Sequence, residues 1–140
     1  MGTYQQNLRN RYTTTSVATA SPQQLVVLLY QRLHRDLTEA KAAIENNEVY
    51  VANRALQHAQ DIIVELHSSL DRNAWEHAKE LSSLYVYFLG ELSEANLTKD
   101  TKRISSVTNM VAELRDAWAA AAAQLTSSGV APITSISSSG

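Results

Sequence analysis

From Leu25 to Leu125 apolar residues recur every three or four positions, the period of one helical face rather than the alternation of a strand. Four such stripes follow one another. The first holds Leu25, Leu28, Leu29, Leu33, Leu37, Ala40 and Ile44 and gives way at Asn46-Asn47. A second resumes with Ala52, Ala55, Leu56, Ala59, Ile62, Ile63, Leu66 and Leu70, and the polar cluster Asp71-Arg72-Asn73 marks the next turn. The third carries Ala78, Leu81, Leu84, Tyr85, Phe88, Leu92 and Ala95 and ends over Asn96 to Lys99. The last carries Ile104, Val107, Val111, Leu114, Trp118, Ala121 and Leu125.

Local chemistry agrees with this period. Ser21-Pro22-Gln23-Gln24 is a helix start: Ser21 can accept from a free amide, Pro22 suits the first helical position, and Gln24 can reach back to close a capping box. Both prolines, Pro22 and Pro132, lie outside the middle of the chain, so long helices are permitted. Segments of roughly 24 residues give helices on the order of 36 Å. Connections of about three or four residues would force neighbours antiparallel. The pattern therefore predicts an all-α fold, an antiparallel up-down-up-down four-helix bundle over residues 21–125. Residues 1–20 are expected to form a flexible arm, and the Ser-rich residues 126–140 a disordered tail.

Two runs carry more apolar residues than a bundle stripe needs. Leu25-Val26-Val27-Leu28-Leu29-Tyr30 and Leu84-Tyr85-Val86-Tyr87-Phe88-Leu89 are apolar all round, although a bundle helix keeps one face wet. Either these helices have a further neighbour within the fold, such as the arm, or they leave a groove for a helix of another chain. The two readings are compatible, since an arm can cover a groove until a ligand displaces it.

Composition narrows the chemistry. A hydrophobic fraction of 44% places the chain among globular proteins, and 140 residues fit one domain with one core. The formal charge of −2 gives no global attraction to nucleic acid; Arg9 with Arg11, and Lys99 with Lys102 and Arg103, read as solvated surface. No cysteine is present, which removes disulfides and thiolate chemistry. No Glu is followed three residues later by His, so the carboxylate di-metal site of some bundles is excluded, and His34, His58, His67 and His77 are not paired at helical spacing. No glycine-rich phosphate loop occurs. The expectation is a binding protein with no catalytic residues, cofactor or metal. The longest apolar runs are too short to span a bilayer, so no membrane insertion is expected and a cytoplasmic location is the default.

Several pieces of the chain resemble one family. Tyr12, Ser16-Val17 and Thr19-Ala20-Ser21-Pro22, followed by Leu25 and Leu28-Leu29-Tyr30, are similar to the opening signature of the flagellin export chaperone family (FliS). The likeness continues through Ala59-Gln60-Asp61-Ile62-Ile63, Glu65-Leu66 and Ser68-Ser69-Leu70-Asp71. It resumes at Leu81, Leu84-Tyr85 and Tyr87, then at Ala95-Asn96-Leu97, Lys99-Asp100 and Leu114-Arg115-Asp116-Ala117-Trp118. The chain departs from the family at Gln31-Arg32, where Asp-Gly is common, and at Ala74-Trp75, where a Gly pair is frequent. A Trp-containing turn is expected to alter the junction between helices two and three.

The resemblance implies a bundle that binds the disordered C-terminal segment of flagellin, which folds into helices along it and loses the surfaces used for polymerisation. It further implies delivery to a component of the membrane export gate, and an arm capping part of the groove, with Tyr12 at the matching position. The candidate partner-binding residues are Ile62, Leu66, Val86 and Leu89 on helices two and three, gated by Tyr12 and Val17. Each of the four helical candidates also fits ordinary core. The rival reading is a homodimer, an adaptor or structural protein with a different partner, burying Val26 and Val86 between two bundles.

Overall fold

The structure, a computed structural model, describes residues 21–127. Among these the chain forms four helices and no strand: α1 Pro22–Glu45, α2 Val49–Ser68, α3 Ala78–Thr98 and α4 Thr101–Ser127. The architecture is the expected antiparallel four-helix bundle. The arm and nearly all of the tail, with Tyr12 and Val17, lie outside the described residues.

The helix ends follow the local rules. Ser21 Oγ accepts from the Gln24 amide at 3.1 Å, and Gln24 Oε1 accepts from the Ser21 amide at 2.8 Å, which closes the capping box with Pro22 at the first helical position. At the other end of α1, Asn47 takes φ 59°. The Asn47 and Glu48 amides then turn back to the Ile44 and Ala43 carbonyls at 3.0 and 2.8 Å. This is a left-handed cap made with Asn in place of Gly. Lys99 closes α3 in the same way at φ 55°, and the Asp100 amide donates to Ala95 O at 3.2 Å. A lysine has no intrinsic preference for that conformation. Its Nζ donates to Asn53 Oδ1, Asn96 O and Asn96 Oδ1, each at 2.6 Å, which ties the α3–α4 turn to α2.

The basic cluster at the start of α4, unfavourable to the helix dipole on its own, is offset locally. Asp100 accepts from the Lys102 amide at 2.9 Å, and Arg103 pairs with Glu91 at 3.0 Å and with Asp100 at 3.4 Å.

Two expectations are corrected. The α2–α3 connection spans residues 69–77 and is longer than the three or four residues foreseen. It folds back so that Trp75 meets Trp118 of α4 edge to face at 6.2 Å, a contact that a Gly pair there would not make. In α4 the inward residue after Trp118 is Ala122, which is buried, whereas Ala121 is exposed. The stripe steps by four there, as a period of 3.6 sometimes requires.

Packing is uneven. α1 approaches α2 and α4 closely, through Ala40, Ala43, Ala52, Ala55 and Ala59, whose small side chains let backbones come near. α3 packs against α2 and α4 at longer range, held off by Leu81, Tyr85, Phe88 and Leu92. One polar contact crosses the core: the Tyr30 and Tyr85 hydroxyls are 2.5 Å apart, with both side chains sealed from solvent.

Candidate partner-binding surface

The core accounts for most of the apolar stripe. Ile62 is 0% and Leu66 1% exposed. These two do not line a surface groove; they are sealed between helices, because the α2 stripe is broad enough to put both beneath its neighbours. Val86 is 57% exposed, and Leu89 is partly buried against the core. The excess in α1 is mostly taken up, with Val26 and Leu29 packed on the core and Leu25, Val27 and Leu28 half-buried. Of the two apolar runs, the part that stays in solvent therefore sits on α3, at Val86 and Tyr87, while the start of α2 exposes Val49, Tyr50 and Val51.

Its direction is fixed by contacts. His67 Nε2 and Ser82 Oγ lie 2.9 Å apart, and Gln60 Nε2 donates to Ser93 Oγ at 3.2 Å, so Ser82 and Ser93 mark the line where α3 faces α2. At about 100° per residue, Val86 and Leu97 fall outside that line by roughly 20–60° and Leu89 just inside it, whereas Gly90 points nearly opposite the buried stripe. On α2 the same rotation places Tyr50, Gln57 and Val64 along the opposite shoulder. Leu97 is 82% and Tyr50 72% exposed. Both line a cleft of about 460 Å³ with Asn53, Arg54, Gln57 and Asn96. The result is a shallow trough along α2 and α3, with apolar side chains on its rim and amides in its floor.

Sequence reasoning missed Tyr50 and Leu97. A signal existed for Leu97, which is out of phase with the Leu92 and Ala95 stripe and so cannot point inward on the same face.

A second cleft, of about 660 Å³, lies between α1 and α2 and is charged rather than apolar. Its wall includes Asp36, a buried carboxylate that accepts from Arg32 Nε at 3.1 Å and meets His58 Nδ1. Burial pushes the Asp61 carboxyl up from its ordinary value, against a smaller lowering by His58. Gln31 is exposed and Arg32 serves the Asp36 pair, so the departure at Gln31-Arg32 does not disturb the core.

Among the described residues, no group of three or more His, Cys, Asp or Glu is placed to hold a metal ion, and no helix is long and apolar enough to cross a membrane. The polar groups along the α2–α3 line are amides, hydroxyls, the Arg54 guanidinium and the His67 imidazole; His67 meets the buried Ser82, and among the described residues no third group meets its other ring nitrogen to complete a catalytic set. What such a surface can do is hold a polypeptide.

Comparison with known proteins gives the family and the fold. The family described as flagellar protein FliS matches residues 4–125 of this chain. The flagellar secretion chaperone FliS of Bacillus subtilis is 36% identical over 113 residues, covering 81% of this chain and 84% of its own length. Its namesake in Campylobacter jejuni is 34% identical, covering 78% of this chain and 86% of its own length. That of Salmonella typhimurium is 33% identical, covering 74% and 78%. A crystal structure of a flagellar chaperone from bacteria superposes with a TM-score of 0.69 at 17% identity, over 85% of this chain and 98% of the other, which shows a shared fold. With its family match running through all four helices, the chain is a member of the FliS family of flagellar proteins.

Proposed function

We propose that this chain is a cytoplasmic export chaperone that holds the disordered C-terminal segment of flagellin along the α2–α3 trough. Bound there, the segment is kept from premature polymerisation until the complex reaches a component of the export gate. The family is one of chaperones and not of enzymes, and its relatives are flagellar secretion chaperones. The observation that carries the finer reading is the exposed apolar rim of Val86, Leu97 and Tyr50, with partly buried Leu89 beside it, on a core that is already complete without the exposed three. Side chains of this kind contribute nothing to the isolated fold while they face water, yet they give a client something to bury.

The energetics are suitable. Ordering a disordered segment on binding costs roughly 2–5 kcal/mol. At about 25 cal/mol per Å² of apolar surface, a contact of a few hundred Å² exceeds that cost and still leaves a reversible complex. In this reading Tyr12 and Val17 of the arm gate the trough, and the client displaces them.

Calorimetry with the C-terminal segment of flagellin tests the proposal. One segment per chain, a negative heat-capacity change and a gain of helical circular dichroism are expected. A chain that self-associates and gives no heat with flagellin would instead be a homodimeric adaptor.

A further inference from the structure

Where α3 ends, one ammonium group joins the two helices of the trough. Lys99 caps α3 in the left-handed region, at φ 55° and ψ 43°, where glycine is the ordinary residue because it has no Cβ to strain. What the lysine adds is its Nζ, which donates at 2.6 Å to Asn53 Oδ1 of α2 and to Asn96 O and Asn96 Oδ1 of α3. Three N–H groups meet three acceptors, so the ammonium is saturated. It also fixes both amides. Turning either side chain over would set an NH2 group against the ammonium, donor against donor. Asn53 and Asn96 therefore keep Oδ1 on Lys99 and leave their Nδ2 groups, with two N–H donors each, to the cleft of about 460 Å³ that they line. No carboxylate lines this cleft, and neither asparagine lines the α1–α2 cleft where Asp36, Glu39 and Asp61 sit. α2 begins at the same end, with no acidic residue in its first turn and no side-chain cap, so the positive end of its dipole adds to the field.

Building on the chaperone reading above, we infer that the Asn53–Lys99–Asn96 cluster binds the free carbonyl oxygens at the C-terminal turn of the client helix. A segment that becomes helical on binding leaves its last four carbonyls without an internal partner, at the negative end of its dipole. Oriented amide N–H groups backed by an ammonium supply those partners. Carbonyls are favoured over a client carboxylate, because Lys99 has no N–H to spare for an ion pair. Leu97 and Tyr50, both largely exposed, flank the amides and cover the apolar side of the last turn. The client helix thus ends where α3 ends and runs parallel to it. Asn53 and Asn96 touch the client; Lys99 is a positioning residue that acts through them.

The test uses the full chain, with the C-terminal segment of flagellin as probe. Asn53→Asp keeps an acceptor for Lys99 but replaces both cleft donors by a second acceptor. Its melting temperature holds or rises, while its affinity for the segment falls about tenfold. Lys99→Gly suits the left-handed cap, so α3 still ends there, but both amides lose their orientation and affinity falls about threefold. In the unaltered chain, the side-chain NH2 signals of Asn53 and Asn96 shift in nitrogen–proton NMR spectra when the segment binds. Unchanged affinity in Asn53→Asp, or NH2 signals that stay in place, overturns the carbonyl site. Unchanged affinity in Lys99→Gly overturns the positioning role of the ammonium. An Asn53→Asp loss that disappears once the acidic residues of the segment are changed to amides makes a client carboxylate the occupant, and the helix-end reading falls. Absence of binding by the unaltered chain has a different meaning: it removes the flagellin reading itself.

Discussion

The Tyr30–Tyr85 contact offers the sharpest test of how the core is held. The two hydroxyls are buried and 2.5 Å apart, on helices that do not follow one another in sequence. Changing Tyr85 to Phe removes one hydroxyl and leaves that of Tyr30 buried without it, at a cost of about 1–2 kcal/mol. Changing Tyr30 to Phe strands the Tyr85 hydroxyl in the same way, at a similar cost of about 1–2 kcal/mol. In the double variant the Tyr85 hydroxyl is no longer left unmade, because it is gone as well. Its total should not exceed that of either single change, and falls well below their sum. Urea unfolding followed by circular dichroism at constant m-value measures all three. Single effects that add to within about 0.3 kcal/mol would show that the hydroxyls are not coupled and would refute the argument.

Further predictions concern pH, the core, the trough and the first cap. Burial raises the Tyr30 phenol from 10.0 to about 12, against smaller lowering by hydrogen bonds from Tyr85 and Trp118, and pushes Tyr85 well above its ordinary value. A group whose pKa is raised on folding contributes stability that is fully present below the unfolded value and is lost as pH rises through the folded one. Stability should therefore fall by about 1.4 kcal/mol per tyrosine for each pH unit above 10, a decline that the Phe variants lessen in alkaline denaturation curves. Leu66→Ala should cost about 2–5 kcal/mol, as expected for a sealed site, and Val86→Ala less than about 0.5 kcal/mol, both from urea midpoints. Near-equal values would erase the division between core and trough. Ser21→Ala should lose about 1 kcal/mol and speed amide exchange in the first turn of α1, an effect absent if the capping box is unimportant.

Much of the fold is legible in residues that interact with near neighbours. Ser21, Pro22 and Gln24 lie within one turn of each other and announce the first helix without help from the rest of the chain. The same holds for Asn46-Asn47 and for Lys99, where the turn is closed by atoms a few positions away. The α2–α3 junction was less legible. Trp75 carries no local signal that it will turn back toward Trp118, so the connection looked shorter than it is. Of the candidate site, the pairing of helices two and three and the choice of Val86 and Leu89 came from apolar excess. Leu97 needed the rotation of α3 about its own axis and Tyr50 that of α2, which the hydrogen bonds joining Ser82 and Ser93 to α2 reveal.

By itself, then, the amino-acid sequence determined the number of helices, most of their ends, the all-α class and the family likeness, because helical period and capping depend on contacts within a few residues. Only the tertiary structure decided that Ile62 and Leu66 are sealed while Val86 and Leu97 meet water. Both pairs are equally apolar in sequence. What separates them is where each side chain falls around its helix axis relative to the packed neighbours: Ile62 and Leu66 face the other helices, whereas Val86 and Leu97 lie outside the line at which α3 meets α2.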